Sequence, residues 1–171
     1  MLRPYGVPGD VYLLLLAVFC ISAMALLSFR GVRTGGRGVL VVLLVEYVFL
    51  LYCSTVFFRS GAARGHNFLP FWSYVEICHG DEQGLLPQNI MNVVVFMPVG
   101  LLLGVAFRSM NWWKAGLAGC CISLLIEMLQ YVFKRGFSEF DDIFHNVIGC
   151  MIGYAVFVAI RHNYPKRIIF F

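Results

Sequence analysis

Charge is what this sequence has least of. Only 13% of its 171 residues are Asp, Glu, Lys or Arg, against 60% hydrophobic residues. A soluble domain carries about 25% charged residues, so a polar-surfaced soluble globule is excluded. A mean hydropathy of +0.81 places the chain among polytopic membrane proteins. The net charge of +4 is modest, and no basic run interleaved with aromatics occurs, which excludes a nucleic-acid partner. Low-complexity tracts and internal repeats are absent as well.

Cysteine chemistry is also missing. There is no C-x-x-C spacing, and five of the six cysteines (Cys20, Cys53, Cys120, Cys121 and Cys150) fall within apolar runs, where the thiol acts as a small hydrophobe. Nucleophile and metalloprotease signatures such as G-x-S-x-G and H-E-x-x-H do not occur. Asp141 and His145 have the i, i+4 spacing of helical metal ligands, but no third ligand accompanies them. The sequence therefore implies no metal and no cofactor. His66, His79 and His162 read as loop or terminal histidines.

What is present is a set of long apolar runs. Residues 11–29, 39–58, 89–107, 112–133 and 143–160 are each long enough, at 1.5 Å per residue, to cross a hydrocarbon core of about 30 Å. They predict an all-α, single-domain bundle of about five transmembrane spans. The first run superficially resembles a signal peptide. Its upstream flank holds only Arg3, whereas Arg30, Arg33 and Arg37 follow it, which retains the downstream side in the cytoplasm. The expected topology thus has the N-terminus outside and the C-terminus cytoplasmic. Arg30, Arg33, Arg37, Arg108, Lys114, Arg161, Lys166 and Arg167 then lie inside, and Arg3, Arg59, Arg64, Lys134 and Arg135 outside: eight basic residues against five.

The connection 59–88 carries the aromatic patch Phe68-Leu69-Pro70-Phe71-Trp72-Ser73-Tyr74, which suits the headgroup level or a re-entrant segment. Pro98 interrupts the third run and predicts a kink. Gly100 and Gly104, and again Gly149 and Gly153, form small-xxx-small faces for close helix packing.

The polar residues inside these runs converge. Under the expected topology Asn92, Glu127, Gln130 and Asn146 lie at similar depth near the outer surface. Glu127 and Gln130 share a helical face that Lys134 would continue, and Asp142 shares one with Asn146. An isolated carboxylate is costly in lipid, so Glu127 is expected to face the bundle or a wet cavity. The plainer reading is that these groups are interhelical glue, worth about 1 kcal/mol or less per pair. Glu46 stands apart, in a span with no other charge.

At these residues the sequence resembles the VanZ-like family of bacterial membrane proteins. The resemblance covers roughly residues 67–154. It is carried by Asn67-Phe68-Leu69-Pro70-Phe71, by Asn92 followed by Phe96-Met97-Pro98-Val99-Gly100, and by Ser123 to Gln130. It continues through Arg135-Gly136-Phe137-Ser138-Glu139-Phe140-Asp141-Asp142, with Asn146, Gly149 and Gly153. It implies a multi-pass protein of the bacterial cytoplasmic membrane. The family is named for an accessory protein that raises resistance to the acylated glycopeptide teicoplanin. No catalytic assignment transfers with it.

Two functional expectations follow. In the first, an outward polar site of Asn67, Asn92, Glu127, Gln130, Arg135, Glu139, Asp142 and Asn146 binds a membrane lipid, a lipid-linked cell-wall precursor or a lipoglycopeptide, with Arg135 meeting an anionic headgroup. In the second, the protein is an enzyme on a lipid-linked substrate, with Glu127 and Asp142 as acid and base. A transporter is a weaker third reading, because no inverted repeat is visible; a homo-oligomer would then have to form the path.

Overall fold

A computed structural model describes residues 37–57, 65–80 and 84–163. The apolar run 11–29 lies outside the described residues. Four helices among those described are long and apolar enough to cross a membrane. They are α1 (Arg37–Tyr52, continued by the wider π-helical turn Cys53–Phe57), α3 (Leu85–Ala106), α4 (Trp112–Phe133) and α5 (Phe140–Asn163). A short helix, α2 (Trp72–His79), and two three-residue strands, β1 (Gly65–Asn67) and β2 (Phe137–Glu139), complete the fold. The strands pair in parallel, with Gly65 opposite Phe137 and Asn67 opposite Glu139. The fold is an all-α bundle with this small ribbon at one end.

Local chemistry sets the helix ends. Asn111 caps α4, its side chain accepting from the Lys114 N–H at 2.9 Å. Lys134 ends α4 in the left-handed conformation, and Gly80 ends α2 the same way. α3 continues unbroken through Pro98. It starts at Leu85, four residues before the apolar run begins, which puts Asn92 two turns inside the helix rather than in its first turn. Likewise, the charged stretch before residue 143 is not a simple loop: Phe137–Glu139 is a strand, and α5 begins at Phe140.

Helices α3 and α5 lie side by side in the same direction, joined through glycine. A Cβ on Gly100 would strike the carbonyl of Cys150, one on Gly149 that of Val93, and one on Gly153 that of Met97. These are backbone obstructions, so only glycine permits the approach. On Gly104 a Cβ would meet the ring of Phe157. Helix α4 returns antiparallel against α5, with the Cys150 thiol 3.2 Å from the Ala115 carbonyl. Helix α1 runs antiparallel to α3, tied by Tyr47 Oη donating to the Val95 carbonyl at 2.8 Å.

The core contains Leu44, Leu51, Val56, Phe96, Val99, Leu103, Ile126 and Cys150. Outward-facing Val45, Phe49, Met128 and Val132 are each more than half exposed, as lipid-facing residues should be. This connectivity brings the C-terminal end of α1, the first half of α3, the last half of α4 and the start of α5 to the same end of the bundle.

Candidate functional site

At that end, polar side chains replace the apolar core. The buried polar residues include Ser73, Asn89, Ser123, Glu127, Gln130, Ser138, Glu139, Asp141, Asp142, His145 and Asn146. They divide into two groups because consecutive residues on α5 point about 100° apart.

One group lines a cavity of about 290 Å³. Its wall comes from Leu51, Ser54 and Thr55 of the α1 end; Gln88, Met91, Asn92, Val95 and Phe96 of α3; Ile126, Glu127 and Gln130 of α4; and Asp142 and Asn146 of α5. Asn92 Nδ2 donates to Asp142 Oδ1 at 2.7 Å, and Asn146 Nδ2 to Ser123 Oγ at 2.8 Å. Gln130 Nε2 donates to the Thr55 carbonyl at 3.2 Å. That carbonyl belongs to the π-helical turn, where the regular hydrogen-bond ladder changes register; such turns are frequent at functional sites. Glu127 Oε2 accepts from the Glu139 N–H at 2.9 Å, joining the cavity wall to β2. Glu139 is tied in turn to Gln88, whose Nε2 lies 3.4 Å from its Oε1.

The other group holds α2 against the bundle. Asp141, fully buried, accepts from the Phe71 N–H at 2.6 Å, the Ser73 N–H at 3.0 Å and the Ser73 hydroxyl at 2.6 Å. Its carboxylate therefore caps the positive end of α2 from another helix. Asn89 Nδ2 donates to Ser73 Oγ, and His145 Nε2 lies 2.7 Å from Tyr74 Oη. Phe71 takes a left-handed conformation, φ 61°, to aim its N–H at Asp141. The ring of Phe71 meets Phe144 edge-on at 5.3 Å, and His66 stacks on Phe68 at 5.1 Å. These aromatics form a rim around the polar end.

Five of the eight expected site residues, Asn92, Glu127, Gln130, Asp142 and Asn146, thus line one cavity. Glu139 stands at its edge. Asn67 does not line it: its Oδ1 accepts from the Leu69 N–H, closing a local turn. Arg135 is exposed and also outside the lining, because α4 stops at Phe133 and Lys134 breaks its helical direction with a left-handed backbone. For the same reason Lys134 leaves the face shared by Glu127 and Gln130. Composition and spacing missed Asp141, Ser73, Asn89 and Thr55. Besides its place in the stretch Arg135 to Asp142, Asp141 stood out as half of an i, i+4 pair with His145, and the two turn out to grip α2 instead. Among the described residues no group of His, Cys, Asp and Glu is placed to hold a metal ion. Glu46 lies on α1 away from the cavity, its Oε2 buried without a hydrogen-bond partner.

Four long apolar helices with a polar cavity built between them at one end define a polytopic helical membrane protein. Within that class the chain belongs to the VanZ/LLP1 family, whose profile matches residues 39–161. It is similar to Protein VanZ of Enterococcus faecium, with 26% identity over 137 residues, 77% of this chain and 80% of that protein. No solved structure matches the chain.

Proposed function

We propose that this protein sits in the bacterial cytoplasmic membrane with its polar end outward, and that its cavity receives the headgroup of a cell-envelope lipid, lowering susceptibility to teicoplanin. The observation that carries the reading is the cavity itself. Polar groups from α1, α3, α4 and α5 meet there among Leu51, Met91, Val95, Phe96 and Ile126, so the lining offers both hydrogen-bonding groups for a headgroup and apolar contacts for the start of an acyl chain. Ligand sites commonly occupy about 300–1,000 Å³. At about 290 Å³ the space suits a headgroup better than the whole scaffold of an acylated glycopeptide. A role in teicoplanin susceptibility draws on the family alone.

The test is teicoplanin susceptibility in a sensitive Gram-positive host carrying wild type, Glu127→Gln or empty vector, at matched membrane levels. Wild type is expected to protect and the variant to lose protection. Equal susceptibility of wild type and empty vector removes the resistance role. Equal protection by wild type and Glu127→Gln removes the cavity from it. Reporter fusions to the segments flanking α3 and α5 test the orientation.

A second reading, chemistry on a lipid-linked substrate, is favoured by one observation: Glu127 and Asp142 reach the same cavity from different helices. Incubation of purified protein with labelled cell-envelope lipids tests it; unchanged lipids count against it.

A further inference from the structure

The cavity has a closed side and an open one. Its lining residues from α4 and α5 are all no more than 6% exposed. The accessible ones are Ser54 and Thr55 at the end of α1, and Gln88, Met91, Asn92 and Val95 on α3. Met91 lines the cavity and is also 58% exposed, so it stands at the rim. The contacts between helices agree. Glycine holds α3 against α5, and α4 is tied to α1 at two levels, by Gln130 to the Thr55 carbonyl and by Tyr52 Oη donating to the Ile122 carbonyl at 3.2 Å. Glu139 spans the end of the bundle, its N–H on Glu127 and its side chain beside Gln88. Between α1 and α3 the bond from Tyr47 Oη to the Val95 carbonyl lies deeper. Beyond it, toward the polar end, no hydrogen bond joins these two helices among the described residues. The Ser54 and Thr55 hydroxyls both donate back to the Leu51 carbonyl of their own helix, at 2.9 and 2.7 Å.

We infer that the cavity opens sideways, between the end of α1 and the first half of α3, and that a bilayer lipid enters there headgroup first, leaving its acyl chains in the membrane against Met91. The inference rests on the headgroup-binding reading above and adds to it the route and the residues at the mouth. With 22 residues, α3 is about 33 Å long, close to the thickness of a hydrocarbon core. Met91 lies six residues after Leu85, about 9 Å along that helix, so the rim reaches the depth of the acyl chains. A lipid using this opening keeps its chains in hydrocarbon throughout and avoids an extraction whose cost grows with every methylene group. Its headgroup passes directly to Asn92, Glu127 and Asp142, so no polar group is stranded in apolar surroundings. A cavity of about 290 Å³ then has to hold only the headgroup.

The test places the photoreactive residue p-benzoylphenylalanine at Met91, on the rim, or at Met128, an α4 residue that is 59% exposed but absent from the lining. The full chain is moved from an equal mixture of phosphatidylethanolamine and phosphatidylglycerol into mild detergent, washed and irradiated. Retained and cross-linked lipid are counted by native mass spectrometry. Cross-linking is expected at Met91 and only at background level at Met128. Met91→Trp and Ser54→Trp, which add bulk from either lip of the mouth, should lower retention by about tenfold, whereas Met128→Trp should leave it unchanged. Wild-type retention in both lip variants, with retention lost in Glu127→Gln, overturns the sideways mouth and leaves headgroup binding standing. Equal cross-linking at Met91 and Met128 of a lipid that Glu127→Gln releases does the same. No lipid retained above background by wild type overturns both.

Discussion

Replacing Asp141 with asparagine should detach α2 while leaving the long helices in place. Eight residues are too few for a helix to hold itself in water, since isolated helices shorter than about 12–15 residues are marginal. What holds α2 is the Asp141 carboxylate, which receives two backbone N–H groups and one hydroxyl at 2.6–3.0 Å with no exposure to solvent. Asparagine keeps one acceptor oxygen and sets an NH₂ group against a backbone donor. At least one charge-assisted hydrogen bond is lost, worth about 1.5–3 kcal/mol, and a buried donor is left unpaired, worth about 1–3 kcal/mol more. The positive φ of Phe71 adds about 1–2 kcal/mol of strain that the carboxylate no longer offsets. A net loss of about 3 kcal/mol corresponds to roughly 100-fold faster opening of the segment. Hydrogen–deuterium exchange of the protein in detergent or nanodiscs measures it peptide by peptide. The amides of Trp72–His79 should lose protection by about that factor, with α3, α4 and α5 unchanged. Wild-type protection of α2 in the variant, or loss spread evenly over the bundle, would refute the assignment of Asp141 as the residue that pins α2.

Other substitutions test the packing. Gly153→Ala sets a methyl group against the Met97 carbonyl and should destabilise the bundle by about 1–3 kcal/mol. Gly116→Ala meets the Met151 and Val147 side chains at ordinary contact distance and should stabilise α4 by about 0.5–1 kcal/mol; equal denaturation midpoints in a detergent series would contradict this contrast. Lys134→Gly relieves a left-handed residue whose side chain is exposed, and should raise stability by about 1 kcal/mol in thermal unfolding. Gly65→Ala drives a Cβ into the Phe137 ring, so the backbone amides around β1 and β2 should exchange faster while those of α3 and α5 hold.

Much of the architecture is a one-dimensional property of the chain. Apolar runs of about 20 residues have no stable place in water and no unsatisfied backbone once helical, so composition and length determine a membrane helix bundle. The glycine pairs at 100 and 104 and at 149 and 153 announced a close helix contact for the same local reason. Helix rise placed Asn92, Glu127, Gln130 and Asn146 near one level, and the structure brings them to one cavity. Asn67 and Arg135 lay within the same stretches of resemblance, yet each follows its own backbone: a local turn in one case, a helix terminus in the other. Partner choice needed three dimensions. Asp141 and Asp142 are adjacent and chemically identical, but 100° of helical rotation sends one to α2 and the other to Asn92 in the cavity. The pairing of β1 with β2 joins segments about 70 residues apart, and no local preference in three-residue strands encodes it. The orientation of the Gln130 amide depends on the Thr55 carbonyl, which belongs to the π-helical turn of another helix. Hydrophobicity acts residue by residue and can be read along the chain. Hydrogen-bond partners are set by direction and distance between segments, which only the folded bundle supplies.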